Sequence, residues 1–156
     1  MGRNDLTVER IVVLGAQADA LIAAANAEGF PFMERLKQEW MDGINRFDLP
    51  GEALFAARMD GRLAGIGGLC RDPYTADGSI GRVRHLYTLP DSRRQGVGRA
   101  IMERIVALAA ANFSMLRLRT TTRRAAHFYE ALGFSPCRGD AVTHVLELEA
   151  GATASG

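Results

Sequence analysis

Apolar positions along the chain change period repeatedly, and the changes mark out its elements. Ile11, Val12 and Val13 lie in a run from Leu6 to Leu14 that predicts a first strand. Asp19 to Glu28 is alanine-rich, with Leu21, Ile22 and Ala25 on one helical face and Gly29 placed to cap it. Pro31 opens a second helix, in which Phe32, Leu36 and Trp40 recur at helical spacing. Gly43 to Gly51 is rich in turn residues. Ala53–Met59 and Leu63–Cys70 read as two strands joined through Asp60-Gly61, a hairpin signal. Gly65, Gly67 and Gly68 in the second strand imply a close neighbour or a bulge. Ile80 to Leu89 is a strand that Pro90 ends. Ile101, Ile105 and Leu108 mark a helix from Gly98 to about Asn112, and Met115–Thr120 a further strand. Arg123–Leu132 is a helix that stops at Gly133, and Ala141–Glu149 alternates as a last strand.

The order is strand, two helices, three strands, helix, strand, helix, and one or two strands. It predicts an α/β fold with helices on both faces of a sheet. The 156 residues suit one domain over 1–150, with a small, polar tail at 151–156 expected to fray. A net charge of +1 argues against a general nucleic-acid footprint or a polybasic membrane patch. No apolar window spans 18 residues, so no membrane segment is expected and the cytoplasm is the expected location. Met1-Gly2 resembles a myristoylation start only superficially, because Thr7 rather than position 6 carries the hydroxyl. Cys70 and Cys137 form neither a disulfide framework nor a metal-ligand spacing, so no metal is expected.

One charge feature changes the picture. Arginines cluster from Arg82 to Arg124, whereas Lys37 is the only lysine. At the cluster's centre stands Leu86-Tyr87-Thr88-Leu89-Pro90-Asp91-Ser92-Arg93-Arg94-Gln95-Gly96-Val97-Gly98-Arg99, a strand, a basic glycine loop and a helix start. The first N–H groups of a helix lack internal partners and sit at the positive end of its dipole. Glycine removes the Cβ atoms that would hold an anion away, and Arg93, Arg94 and Arg99 add full charge. The ligand this predicts is a phosphate or pyrophosphate. A P-loop would need Gly-Lys-Ser/Thr, which is missing, and a dinucleotide fingerprint would need a third glycine where Ile101 stands.

Arg93-x-x-Gly96-x-Gly98, following Leu86-Tyr87-Thr88-x-Pro90, resembles the coenzyme A loop of the GNAT N-acetyltransferase superfamily. Ala126-His127-Phe128-Tyr129-Glu130-Ala131-Leu132-Gly133-Phe134 resembles its second signature, a helix that carries Tyr and ends in Gly-Phe. The two come in the family's order and separation. The resemblance implies a mixed, mostly antiparallel central sheet of six to seven strands. It also implies acetyl-CoA as the acyl donor and a primary amine, on a small molecule or a protein, as the acceptor. In that reading Leu86, Tyr87 and Thr88 offer strand backbone to the pantetheine and thioester. Arg94, Gln95, Gly96, Val97, Gly98 and Arg99 wrap the pyrophosphate. Tyr129 is the catalytic candidate, beside the sulfur, where a phenol can donate a hydrogen bond or proton to the leaving thiolate. Read from the residues alone, Tyr129 is a core aromatic, at i+4 between Ala125 and Leu132, and only the resemblance favours the catalytic role. Thr122 stands where the family often has an Asn that touches the cofactor, and it is also a plausible helix cap.

A general base is harder to place. Two and four residues before Leu86, where many relatives carry a carboxylate or histidine, stand Arg84 and Arg82, and Arg117 stands where others use a Glu. By strand alternation His85 falls on the opposite face. Glu28, Glu34 and Glu39, in the helical region that often covers the acceptor, are candidates to act through water. If Arg82, Arg84 or Arg117 faces the cleft, the acceptor carries a carboxylate or phosphate; otherwise they guard an exposed strand edge. A non-catalytic acyl-CoA-binding module on the same fold is the alternative, nucleic-acid binding a weaker one, and a homodimer stays open.

Overall fold

The computed structural model describes residues 5–149. Asp60 and Gly61 both adopt positive φ, 53° and 83°, which turns β2 (Ala53–Met59) tightly into β3 (Arg62–Arg71). Around this hairpin stand β1 (Leu6–Ile11), α1 (Ala18–Ala27), α2 (Phe32–Asp42), β4 (Ile80–Thr88), α3 (Val97–Asn112), β5 (Met115–Leu118), α4 (Arg123–Ala131), β6 (Ser135–Pro136) and β7 (His144–Glu147). A 3-10 turn at Pro90–Ser92 follows β4. The seven strands form one sheet in the order β1-β2-β3-β4-β5-β7-β6. Its pairs are antiparallel except β4 with β5. This is the α/β fold the residue pattern predicted and the mixed, mostly antiparallel sheet the family resemblance implied.

Each face buries its own core. On one side α3 and α4 cover Phe55, Leu69, Val83 and Leu116 with Ile101, Ile105 and Tyr129. On the other, α1 and α2 cover Leu54, Ile66 and Tyr87 with Leu21, Met33 and Leu36. The β3 glycines set how closely these layers approach. A Cβ on Gly65 would lie 2.8 Å from Val97 Cγ1 and 3.0 Å from the Tyr87 carbonyl; one on Gly67 would lie 2.8 Å from Ile101 Cγ2. On the opposite face, a Cβ on Gly68 would lie 2.5 Å from the Phe47 ring.

Two irregularities of β4 position the site. Ile66 pairs with Tyr87 but Gly68 pairs with Arg84, so β4 carries an extra residue, and His85 there takes a φ of 59°. The bulge turns both Arg84 and His85 to the α2 side, where Arg84 meets Glu39 and His85 packs against Phe32 and Phe47. Strict alternation had put His85 on the face opposite Arg84, and the bulge overturns that. Leu86 then points to the α3 side and Tyr87 to the α1/α2 side. The second irregularity is a splay. β4 pairs with β5 only at Ile80, Gly81 and Arg82, so among the described residues no strand pairs with that side of β4 from Val83 to Thr88.

Some boundaries differ from the sequence pattern. The first strand ends at Ile11, opposite Leu54, and Val12 and Val13 beyond it are exposed. The last strand shortens to His144–Glu147, and the brief β6 pairs with it. The expectations for Gly2 and for the tail at 151–156 lie outside the described residues.

Candidate active site

Gly96 is the N-cap of α3, its φ of 83° favours glycine, and a Cβ there would face open space. No side chain caps this end and no acidic residue sits in its first turn. The first backbone bond of the helix runs from the Ala100 N–H to the Gly96 carbonyl. Among the described residues, the amides of Val97, Gly98 and Arg99 therefore have no acceptor. Arg94, Gln95, Gly96 and Arg99 are exposed. Arg94 holds a φ of 66°, a second reversal that bends the loop around the helix start.

Three elements converge on Gly98. A Cβ there would touch the Phe128 ring at 3.2 Å and Thr88 Oγ1 at 3.6 Å. The end of β4, the start of α3 and the inner face of α4 thus meet at one point, beside the splay. Phe128 was not among the sequence candidates; its place before Tyr129 in the helical signature was the available signal. Tyr129 follows on the same helix, buried and edge-on to Phe128 at 5.1 Å and to Phe134 at 5.5 Å. Among the described residues its hydroxyl finds no hydrogen-bond partner, and burial raises the phenol above its ordinary range. Thr122 is the N-cap of α4, its Oγ1 accepting from the Ala125 N–H at 3.2 Å.

Arg93, expected to add charge for phosphate, is committed elsewhere. Its guanidinium clamps Glu28 at the end of α1, donates through Nε to the Thr88 carbonyl at 3.2 Å, and lies over the Tyr87 ring. Tyr87 donates its hydroxyl to Glu28 Oε1 at 2.5 Å. The Arg93 bonds, joined by that of Tyr87, lower the Glu28 carboxyl to about 2. As a proton acceptor at neutral pH Glu28 is therefore poor, which removes it from the base candidates. Glu34 is exposed, accepting only a 3.3 Å bond from Asn26. Glu39 is part-buried beside Arg84.

The sheet arginines are not an exposed edge guard, because β4 and β5 lie inside the sheet. Asp72, fully buried, sits 3.4 Å from Arg82 Nη1 and 2.9 Å from Arg117 Nε, and accepts from the Tyr74 N–H at 2.7 Å. The Arg117 contact is Coulombic, its N–H aimed off the carboxylate. Arg82 also donates to the Ala141 carbonyl at 2.6 Å and stacks on Tyr74. Arg84 stands apart from this knot, lining a cavity of about 730 Å3 with Glu39, Glu52 and Tyr74.

Burial also quenches the chemistry of the His85 and Cys70 side chains. The His85 imidazole, neither ring nitrogen hydrogen-bonded, is pushed down to about 3 by burial and by the Arg84 and Arg35 charges. It is neutral and weakly basic. Burial pushes the Cys70 thiol up to about 12, so no thiolate nucleophile forms there. Among the described residues no cluster of three metal-ligating side chains occurs, and no helix is long and apolar enough to cross a membrane.

Residues 50–136 match the profile of the acetyltransferase (GNAT) domain. The chain is similar to the crystal structure of a candidate acetyltransferase from Exiguobacterium sp. 255-15, at 32% identity and a TM-score of 0.83, covering 97% of this chain and 99% of that one. A candidate GNAT-family acetyltransferase from Desulfovibrio desulfuricans shares the fold at 21% identity and a TM-score of 0.71, over 93% and 100% of the two chains. So does a candidate acyl-CoA N-acyltransferase from Klebsiella pneumoniae, at 20% identity and a TM-score of 0.67, over 92% and 98%. No curated protein matches the sequence.

Proposed function

Because the chain belongs to the GNAT acetyltransferase family, we propose that it moves an acetyl group from acetyl-CoA to a primary amine, by direct attack within a ternary complex. The observation that carries this reading is the start of α3, where among the described residues the Val97, Gly98 and Arg99 amides lack acceptors, beside the splayed edge of β4. The amides suit a diphosphate. The unpaired backbone of β4 suits an amide-bearing chain laid along it, and an N–H near Leu86–Thr88 can polarise the thioester carbonyl.

In the reaction the amine nitrogen forms a bond to the acyl carbon, the C–S bond breaks, and its electron pair leaves on sulfur. An ordinary thiol titrates near about 8.5, below a buried phenol. Tyr129 therefore stays protonated and stabilises the thiolate by donating a hydrogen bond. The proton shed by nitrogen returns to sulfur through solvent. Direct transfer accords with Cys70, whose buried thiol cannot carry the acyl group. Loss of the basic candidates Glu28 and His85 leaves an amine that arrives neutral, or one assisted by Glu39 at the cavity.

Release of free thiol from acetyl-CoA, followed across a panel of primary amines, tests the assignment. Amine-dependent release supports it. Tight acetyl-CoA binding with no release for any amine, unaffected by Tyr129→Phe, would instead favour the acyl-CoA-binding module.

A further inference from the structure

We infer that the cavity beside Arg84 receives an acceptor carrying a carboxylate and an apolar body as well as its amine, the class of the apolar amino acids. The inference rests on the acetyltransferase reading and names the substrate of that same site.

The bulge at His85 turns Arg84 onto the α2 side, two residues from Leu86, where the splay leaves β4 unpaired. Of the three sheet arginines raised by the sequence, Arg82 and Arg117 are committed to buried Asp72. Arg84 is not. Its nearest charge is Glu39 Oε1 at 3.7 Å, beyond hydrogen-bond length. Among the described residues its guanidinium donates no hydrogen bond to oxygen, and it also touches the Cys70 thiol. The Arg84 and Glu39 side chains are largely withdrawn from water, at 15% and 20% exposure. A guanidinium so placed has a planar set of donors left for a carboxylate.

The neighbours narrow the choice of anion. Glu52, also lining the cavity, is already used: its two carboxylate oxygens accept from the Leu49 and Arg71 amides. Asp72 is neutralised by its two arginines. Arg46, Asp48 and Arg71 also line the cavity but are exposed to water, so the withdrawn charges left without a hydrogen-bonded partner are Arg84 and Glu39. A ligand with one negative and one positive group matches that inner pair. Its carboxylate takes the guanidinium, and Glu39, released from its long contact, faces the amine.

The rim supplies the third feature. Ile44, Leu49 and Tyr74 line the cavity and are 72%, 60% and 57% exposed. Three large apolar side chains left open around one mouth suit an apolar ligand body.

The test compares leucine, methionine and phenylalanine with their C-terminal amides, which keep the amine and the body but lose the anion. Binding is read by calorimetry in the presence of coenzyme A, and turnover by thiol release from acetyl-CoA. The expected result is at least tenfold preference for acid over amide in affinity and in kcat/KM. In Arg84→Gln that ratio collapses toward one, and Arg84→Lys restores part of it. Equal affinities for acid and amide in the unaltered protein overturn the inference, and that comparison needs no variant to fold. Acetylation of the amides in that case leaves the enzyme reading standing. Failure to bind acetyl-CoA removes the enzyme reading, while the acid-to-amide binding ratio still decides what the cavity holds.

Discussion

The Arg93 guanidinium holds the Glu28 carboxylate through two parallel hydrogen bonds, Nη1 to Oε2 at 2.8 Å and Nη2 to Oε1 at 2.7 Å. This pair ties the end of α1 to the loop that opens α3, and the Tyr87 hydroxyl joins it from β4. The carboxyl lies lower in the folded protein, about 2, than its ordinary 4.5. The stability it contributes is therefore complete above about pH 4.5 and is lost as pH falls toward 2. With water on its open side, the pair is worth roughly 1 kcal/mol. Glu28→Gln should lower Tm by a few degrees at pH 7. The gap to the unaltered protein should narrow as thermal melts are repeated from pH 5 down to pH 2.5. A gap that stays constant over that range would contradict the clamp.

Tyr129 separates chemistry from packing. Its ring is buried between Phe128 and Phe134, but its hydroxyl has no partner among the described residues. Tyr129→Phe should leave Tm within about 1 °C and the KM for acetyl-CoA nearly unchanged, while kcat falls by about 10–100-fold. A large loss of stability with normal kcat in the surviving folded fraction would return Tyr129 to a purely structural role.

The glycines of β3 predict a contrast within one residue type. Gly65→Ala places a methyl 2.8 Å from Val97 and 3.0 Å from the Tyr87 carbonyl, and backbone cannot swing away. Chemical denaturation should show a loss of about 1–3 kcal/mol. Because Val97 is the first residue of α3, acetyl-CoA affinity should fall with it. Gly15→Ala meets nothing within 4 Å and should be neutral or slightly stabilising. Equal effects at the two sites would show that β3 does not set the approach of α3.

Asp72 is the counter-charge of the sheet's arginines. Asp72→Ala leaves Arg82 buried without a carboxylate and should cost about 3–5 kcal/mol in a denaturant titration. A cost below about 1 kcal/mol would mean that the Ala141 carbonyl and the Tyr74 ring suffice for Arg82.

Direct transfer predicts a kinetic pattern. Double-reciprocal plots against acetyl-CoA and amine should intersect, and Cys70 should resist iodoacetamide in the native protein, since burial holds its thiol at about 12. Parallel lines together with an acetylated cysteine in the mass spectrum would establish a covalent intermediate instead.

Much of this architecture was legible in the sequence because local rules wrote it. The Asp60-Gly61 turn, the inner face of α1 at Leu21, Ile22 and Ala25, and the reversal at Gly96 each follow from a few adjacent residues. What stayed hidden depends on partners far along the chain. The bulge at His85 is a mismatch in count between β3 and β4, visible only once Gly68 is seen opposite Arg84. Glu28 and Arg93 are 65 residues apart, so nothing local announced that the first arginine of the loop would turn away from a phosphate. The burial of Arg82 likewise required Asp72, which lies outside every element the sequence pattern marked.

The account stands on the start of α3 as the seat of an acyl-CoA diphosphate. Amide chemical shifts followed by 15N–1H correlation spectra during an acetyl-CoA titration address that directly. The account predicts that the Val97, Gly98 and Arg99 amides move furthest and saturate with one equivalent of ligand. If those three stay unmoved while acetyl-CoA binds elsewhere, or if no amide moves at millimolar ligand, the central claim is wrong.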